Sequence, residues 1–307
     1  GGRKARGARR KRRASRRLPP TSSMYPSKLK GYITVTLGDR AENGPGMQMI
    51  GKDVGEGNGL SYSRLKEMQS TLKGMGIRTC LLHLKGLLPP DYREKADPAY
   101  LLVGYNAAEN LSSMLEMEDE LSSLCFDTQA LMRGRVKNKN ARHNLCLSNF
   151  EQAANIPEGK GTVYNIESLP HLNNLRAKIE EMMGCGTLQG ELNHYFNSSK
   201  CGIGWHGDSE RRVVAAIRFG DSSGKDVPIS YQWYMEGGPV GSQIDVALNP
   251  GDFYAMSEKA VGNDWRKRKR LTLRHAAGKK TSPYVKSKGG KEHKCIQFHR
   301  RAKQRVN

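Results

Sequence analysis

Long apolar runs are missing from this sequence. No stretch approaches the roughly 20 apolar residues that a membrane-spanning helix needs, so no membrane partner is expected. Paired cysteines are missing too: Cys80, Cys125, Cys146, Cys185, Cys201 and Cys295 are scattered and form no Cys-x-x-Cys pair. That excludes a zinc ribbon and gives no disulfide framework, so each is read as a solitary buried thiol in an intracellular compartment. The sequence carries no Gly-rich phosphate loop. Acid is scarce at both ends. Residues 1–20 hold ten Lys/Arg and no acid, and residues 278–307 hold ten against Glu292 alone. Of the net charge of +21, only +2 is left for residues 21–277. The excess is a property of the ends, and the overall charge says nothing about the surface between them. A starting methionine is absent as well, so the native start is read as missing.

What is present falls into four segments. Residues 1–30 are basic, low in complexity and too charged to bury a core, and are read as a disordered tail. As a targeting signal this tail suits a nuclear address better than an organelle transit peptide, since it lacks an amphipathic face. Residues 279–307 form a second basic tail. Residues 31–139 read as a small α/β region: strands at 32–39, 78–84 and 100–105, a helix over 61–74 capped by Ser61 or Ser63, and an amphipathic helix over 106–124. No catalytic motif marks this region. Residues 140–278 contain a helix at 170–183 and then an all-β pattern. Its strands are expected at 192–196, 203–208, 212–220, 229–235, 243–248, 252–257 and 270–276. The turns between them are SSGKDVP, EGGPVG and NPG. Many short strands joined by such turns suggest a sandwich or jelly roll.

One triplet in the β region bears on chemistry. On an extended strand, residues i and i+2 project to the same side, so His206 and Asp208 can supply two metal ligands together, separated by the small Gly207. Non-haem iron oxygenases use two histidines and one carboxylate on one face of the metal and leave the other face open. With 8 histidines in the chain, chance alone gives roughly 0.3 His-x-Asp triplets, the usual false-positive level of a short motif. The surroundings are what single it out.

Asn193-His194-Tyr195 followed by Ile203-Gly204-Trp205-His206-Gly207-Asp208-Ser209-Glu210 resembles the Asn-x-Tyr and Ile-Gly-x-His-x-Asp-x-Glu stretch of AlkB-like dioxygenases. Arg268-Lys-Arg-Leu-Thr-Leu-Arg274 is similar to that family's Arg-x-Asn-Leu-Thr-x-Arg strand. The chain resembles more closely a group of viral and algal AlkB-like proteins with runs like GIGWHGDSERR, MSEKAVGNDW and LTLRHAAG. The resemblance spans roughly residues 140–278. It implies a mainly β fold with a double-stranded β-helix (jelly-roll) oxygenase core, behind the α/β N-terminal region. It also implies Fe(II) and O2 as cofactors, with 2-oxoglutarate as cosubstrate held by Asn193, Tyr195, Arg268 and Arg274. Of the two arginines, Arg274 lies in the more apolar context, where an unpaired guanidinium would be costly.

The family's second histidine is missing from its usual place, because FYAMSEKAVGNDW contains none. Three outcomes are open: His275 completes the triad through a local irregularity, Ser257 or Glu258 takes the position, or the chemistry is lost. Neighbours on a regular strand face opposite ways, so His275 and Arg274 should not both enter one pocket. The activity implied is oxidative demethylation of alkylated nucleic-acid bases, as in DNA repair, with DNA or RNA as the partner; the oligomeric state is left unknown, with a monomer as the default. A flipped base needs aromatic walls, for which Tyr231 and Trp233 are candidates beside ordinary core packing. Arg135, Lys137, Lys139 and Arg142 could grip phosphates or form a solvated loop. Two other readings stand: a protein hydroxylase or demethylase, and an inactive nucleic-acid-binding module.

Overall fold

The β-branched run YITVTLG makes Tyr32–Gly38 a strand, β1, with every residue buried. In the computed structural model, which describes residues 27–221 and 227–278, this strand is central. A hairpin of β2 (Arg40–Glu42) and β3 (Met49–Gly51) follows it, then α1 (Tyr62–Gly74), β4 (Arg78–His83), α2 (Pro90–Arg93) and β5 (Tyr100–Tyr105). Next come α3 (Ala108–Leu111), α4 (Met114–Ser122) and a second hairpin of β6 (Gln129–Met132) and β7 (Arg135–Asn138). Then β8 (His143–Ser148) and β9 (Val163–Asn165) lead into α5 (Pro170–Met183). The rest is strand-rich: β10 (Gln189–Tyr195), β11 (Gly202–His206), β12 (Val214–Gly220), β13 (Ile229–Met235), β14 (Gly238–Val246), β15 (Phe253–Met256), the short α6 (Glu258–Val261) and β16 (Thr272–Gly278).

The chain is thus mainly β, as its turn-punctuated pattern predicts. Two sheets dominate, an eight-stranded one in the order β4-β5-β15-β12-β1-β10-β8-β9 and a four-stranded one in the order β11-β16-β13-β14. Alternation sorts the large sheet's side chains into two faces. Ile33, Val35, Leu37, Ala215 and Ile217 pack with Leu65, Leu72, Leu172 and Ile179 of α1 and α5. Val214, Ala216, Tyr254 and Met256 turn the other way and meet Ile229, Tyr231 and Trp233 of the small sheet. Among the described residues no helix is long and apolar enough to cross a membrane.

Several expectations change. The boundary at 140 separates no two cores: β1 pairs with β10 on one side and β12 on the other, and β5 pairs with β15. Strand pairing over that sequence distance leaves no local trace. Residues 27–30 are not tail, since Leu29 is 7% exposed and Lys28 meets Asp119 at 2.7 Å. The helix expected over 106–124 is two helices, because Ser113 caps α4 by accepting from the Glu116 amide; Leu115 is left exposed. Ser61 caps α1 as expected. Gly238–Gly241 of the expected EGGPVG turn belong to β14. Of the described cysteines only Cys146 and Cys201 are buried, and Cys125 is exposed. The expectations for residues 1–26, 279–307 and the turn at 222–226 lie outside the described residues.

Candidate metal centre

β11 and β16 are antiparallel neighbours, and their register sets His206 directly opposite His275. The imidazole rings lie 4.4 Å apart at 63°. Asp208 reaches the same point from the loop after β11, which ends at His206, and not from an extended strand as the triplet suggests. Its amide donates to the Val261 carbonyl, which holds the loop against α6. Gly207 is required there, since a Cβ would fall on the Gly262 carbonyl oxygen. Asp208 Oδ1 stands 3.5 Å from His206 Nε2 and 3.4 Å from His275 Nε2. Ligand atoms of the three residues all lie within 4.8 Å of one another.

The protonation pattern suits a metal. His206 Nδ1–H donates to the Gly204 carbonyl at 2.8 Å, which turns Nε2 toward Asp208, the usual way a ligating imidazole is oriented. Burial opposes ionisation of Asp208, but His275 and Arg211 overcome it and hold its carboxyl well below the usual carboxylate range. Burial and the neighbouring His206 push His275 down. For His206, burial is outweighed by Asp208, which raises it. Two imidazoles and one carboxylate form a donor set for a divalent first-row ion, and the residues fit that role.

Of the three outcomes left open by the sequence, the first holds in geometry. His275 joins the group, and the irregularity lies in β11, whose register against β16 shifts between Ile203 and His206, while β16 stays regular opposite β13. Ser257 and Glu258 are engaged elsewhere. Ser257 Oγ accepts from the Tyr100 amide, and Glu258 accepts from Gly57, Gly59 and Arg212.

The three residues line a cavity of about 810 Å³ between the sheets, together with Asn193 and Tyr195. Arg268 and Arg274 do not line it, contrary to expectation. The alternation that turns His275 inward turns Arg274 outward, where its guanidinium lies 4.0 Å over the Tyr234 ring and 5.3 Å from that of Trp265. Arg268 is exposed and donates to the Glu236 carbonyl. Tyr231 and Trp233 are both fully buried and do not line this cavity; Tyr231 lies behind His275, ring centroids 6.0 Å apart, and Trp233 Nε1 donates to the Leu84 carbonyl, a core contact.

Arg142 and Arg211 are among the arginines that do line the cavity. Arg142 Nε donates to Asn193 Oδ1, and Arg142 meets no carboxylate within ion-pair distance among the described residues. Arg211 is 3% exposed and tied to Glu191, Glu210 and Asp208. Glu191 was legible as the residue two before Asn193 on the same face, whereas Arg142 shows no local signal beyond its charge. Lys139 is buried, not part of a solvated loop, and bonds the Asn43 carbonyl and Asn144; burial pushes it down to about 8. Arg135 and Lys137 are exposed on β7. Glu42, at the cavity wall, is pushed up to about 7 by burial and by Glu210.

No protein-family model matches this sequence. The chain is 40% identical over 252 residues to an uncharacterized protein of Acanthamoeba polyphaga mimivirus, a match covering 82% of this chain and 97% of the viral protein. The chain belongs to the same family as that viral protein.

Proposed function

We propose that this chain is an Fe(II)- and 2-oxoglutarate-dependent oxygenase of the AlkB-like type that demethylates alkylated nucleic-acid bases. The observation that carries the reading is the convergence of His206, Asp208 and His275 beside a cavity that also holds Asn193 and Tyr195. The two facing sheets are read as a double-stranded β-helix in which β1 completes the large sheet between β10 and β12. Bound ferrous iron with 2-oxoglutarate supplies O2 activation for oxidation of a C–H bond.

The chain's own residues account for the rest. His206, Asp208 and His275 hold the metal, and Arg211 keeps Asp208 ionised. Asn193 and Tyr195 face the cosubstrate, and Arg142 takes the anchoring role that Arg268 and Arg274 cannot reach. A carboxylate meeting Arg142 gains a charge-assisted bond. The unpartnered hydroxyl of Thr34, opposite Asn193 in register, is a further donor in the same wall.

The test is Fe(II) binding together with succinate release. Purified protein should bind Fe(II) and release succinate from 2-oxoglutarate, with formaldehyde when an N-methylated oligonucleotide is supplied; His206→Ala should abolish both. Arg142→Ala should raise the 2-oxoglutarate concentration needed by about tenfold or more, the size of one charge-assisted bond. Arg268→Ala and Arg274→Ala should leave it unchanged. Weak Fe(II) affinity without succinate would return the domain to an inactive module. Succinate with a methylated peptide and none with methylated DNA or RNA would make it a protein-directed enzyme.

A further inference from the structure

Arg268 and Arg274, which lie outside the cavity, belong to a larger arrangement. Residues 266–270 are five consecutive cations, all exposed. Arg270 comes to 3.9 Å from Asp264; among the described residues the other four meet no carboxylate within ion-pair distance. Of the four acids lining the cavity beside Lys267 and Arg270, Asp97 and Asp264 are engaged by Lys259 and Glu258 by Arg212, while Glu56 meets no cation within ion-pair distance among the described residues. Five like charges in sequence repel one another, and their placement suggests what offsets that cost. Arg266 and Trp265 line the metal-side cavity, while Lys267 and Arg270 line a second cavity of about 570 Å³. The run bridges the two.

Tyr62 and Tyr100 line the second cavity. Their rings are 4.6 Å apart, and His83 stacks on Tyr100 at 4.7 Å and 16°. Tyr62 is 50% exposed and His83 is exposed, so the three-ring ladder opens to solvent. At the other end of the run, Trp265 carries the guanidiniums of Arg266 at 5.1 Å and Arg274 at 5.3 Å.

We propose that this surface is a track for a single-stranded nucleic acid, with bases stacked on the Tyr62–Tyr100–His83 ladder and phosphates along residues 266–270, leading one nucleotide to the cavity of His206, Asp208 and His275. Cations spaced along a line match a phosphate backbone. The exposed outer rings, Tyr62 and His83, match unpaired bases, which a duplex keeps stacked inside, and a peptide offers no comparable series of π-faces. The proposal rests on the oxygenase reading only for the fate of the delivered nucleotide, not for binding.

Fluorescence anisotropy of the full chain without metal, using a labelled oligothymidylate and a duplex of equal length, tests it. The basic ends are present in every variant and cancel in the comparison. The variant with Lys267→Ala, Arg268→Ala and Lys269→Ala should lower the slope of log affinity against log salt by about 2, at about 0.7 for each phosphate left without its cation. Tyr62→Ala should weaken oligothymidylate binding by about tenfold, Tyr62→Phe should retain it, and duplex binding should be unchanged by either. A wild-type salt slope in the triple variant overturns the track, as does equal oligothymidylate binding by Tyr62→Ala and Tyr62→Phe, or a loss in Tyr62→Ala that is as large for the duplex as for the single strand. Unchanged Fe(II) affinity and circular dichroism show that the variants fold. If the wild type binds no Fe(II), the oxygenase reading falls while the track stands or falls on the salt slope.

Discussion

Around Asp208 the charges are arranged in a chain, and Arg211 is its centre. Its guanidinium is 3% exposed and bonds Glu191, itself 5% exposed, as well as Glu210 at 3.0 Å. A buried ion pair is weak evidence of net stability, but removing one partner strands the other. Arg211→Met should therefore cost about 3–5 kcal/mol, measured by denaturant unfolding, and Glu191→Gln added to it should recover part of the loss, since Asp208 and Glu210 still lack their cation. A second carboxyl gives a pH signature. Burial, and after it Glu210, raise Glu42 from 4.5 to about 7. Between those values the folded protein holds a proton that the unfolded chain has lost, so stability falls as pH rises through this window and is level above it. Glu42→Gln keeps an acceptor for the Gly46 amide, which donates to Glu42 at 2.6 Å. The difference in stability between wild type and Glu42→Gln should therefore change from pH 4.5 to 7 and be flat beyond, as read by thermal melts across pH.

The elements show which parts of the site the sequence makes legible. Strands β10 to β16 follow from β-branched and aromatic segments broken by Gly, Asn and Pro turns, signals that act within a few residues. His206 and Asp208 follow from spacing, although the strand ends between them and the Gly207–Gly262 contact brings Asp208 into place. The inward turn of His275 and the outward turn of Arg274 follow from strand alternation, whereas Arg268 lies before β16 begins and is exposed, so the six-residue step between the two arginines does not put them on one face of a strand. Arg142 does not follow from anything local. It precedes β8, and its partner Asn193 lies on β10; only the β8–β10 pairing brings them together. Register between distant strands is decided by packing of whole faces, which a short motif does not encode.

At the scale of the molecule, β1 is the clearest case of such long-range dependence. It pairs along its whole length with both β10 and β12, and Ile33, Val35 and Leu37 are each no more than 2% exposed in the helix-side core. Burying side chains of this kind is worth about 1.5–3 kcal/mol each, comparable in sum to the roughly 5–15 kcal/mol net stability of a typical domain. Without β1 the ladders of β10 and β12 also open toward solvent, and β10 carries Asn193 and Tyr195. A fragment of residues 140–278, which holds all three metal-ligand candidates, should therefore show no cooperative thermal transition and no tight Fe(II) binding. A fragment of residues 27–278 should melt cooperatively within a few degrees of the full chain, because it keeps every strand of both sheets. Calorimetry on the two fragments decides the point: a cooperative melt of the shorter one would mean that β1 docks on a core able to stand without it.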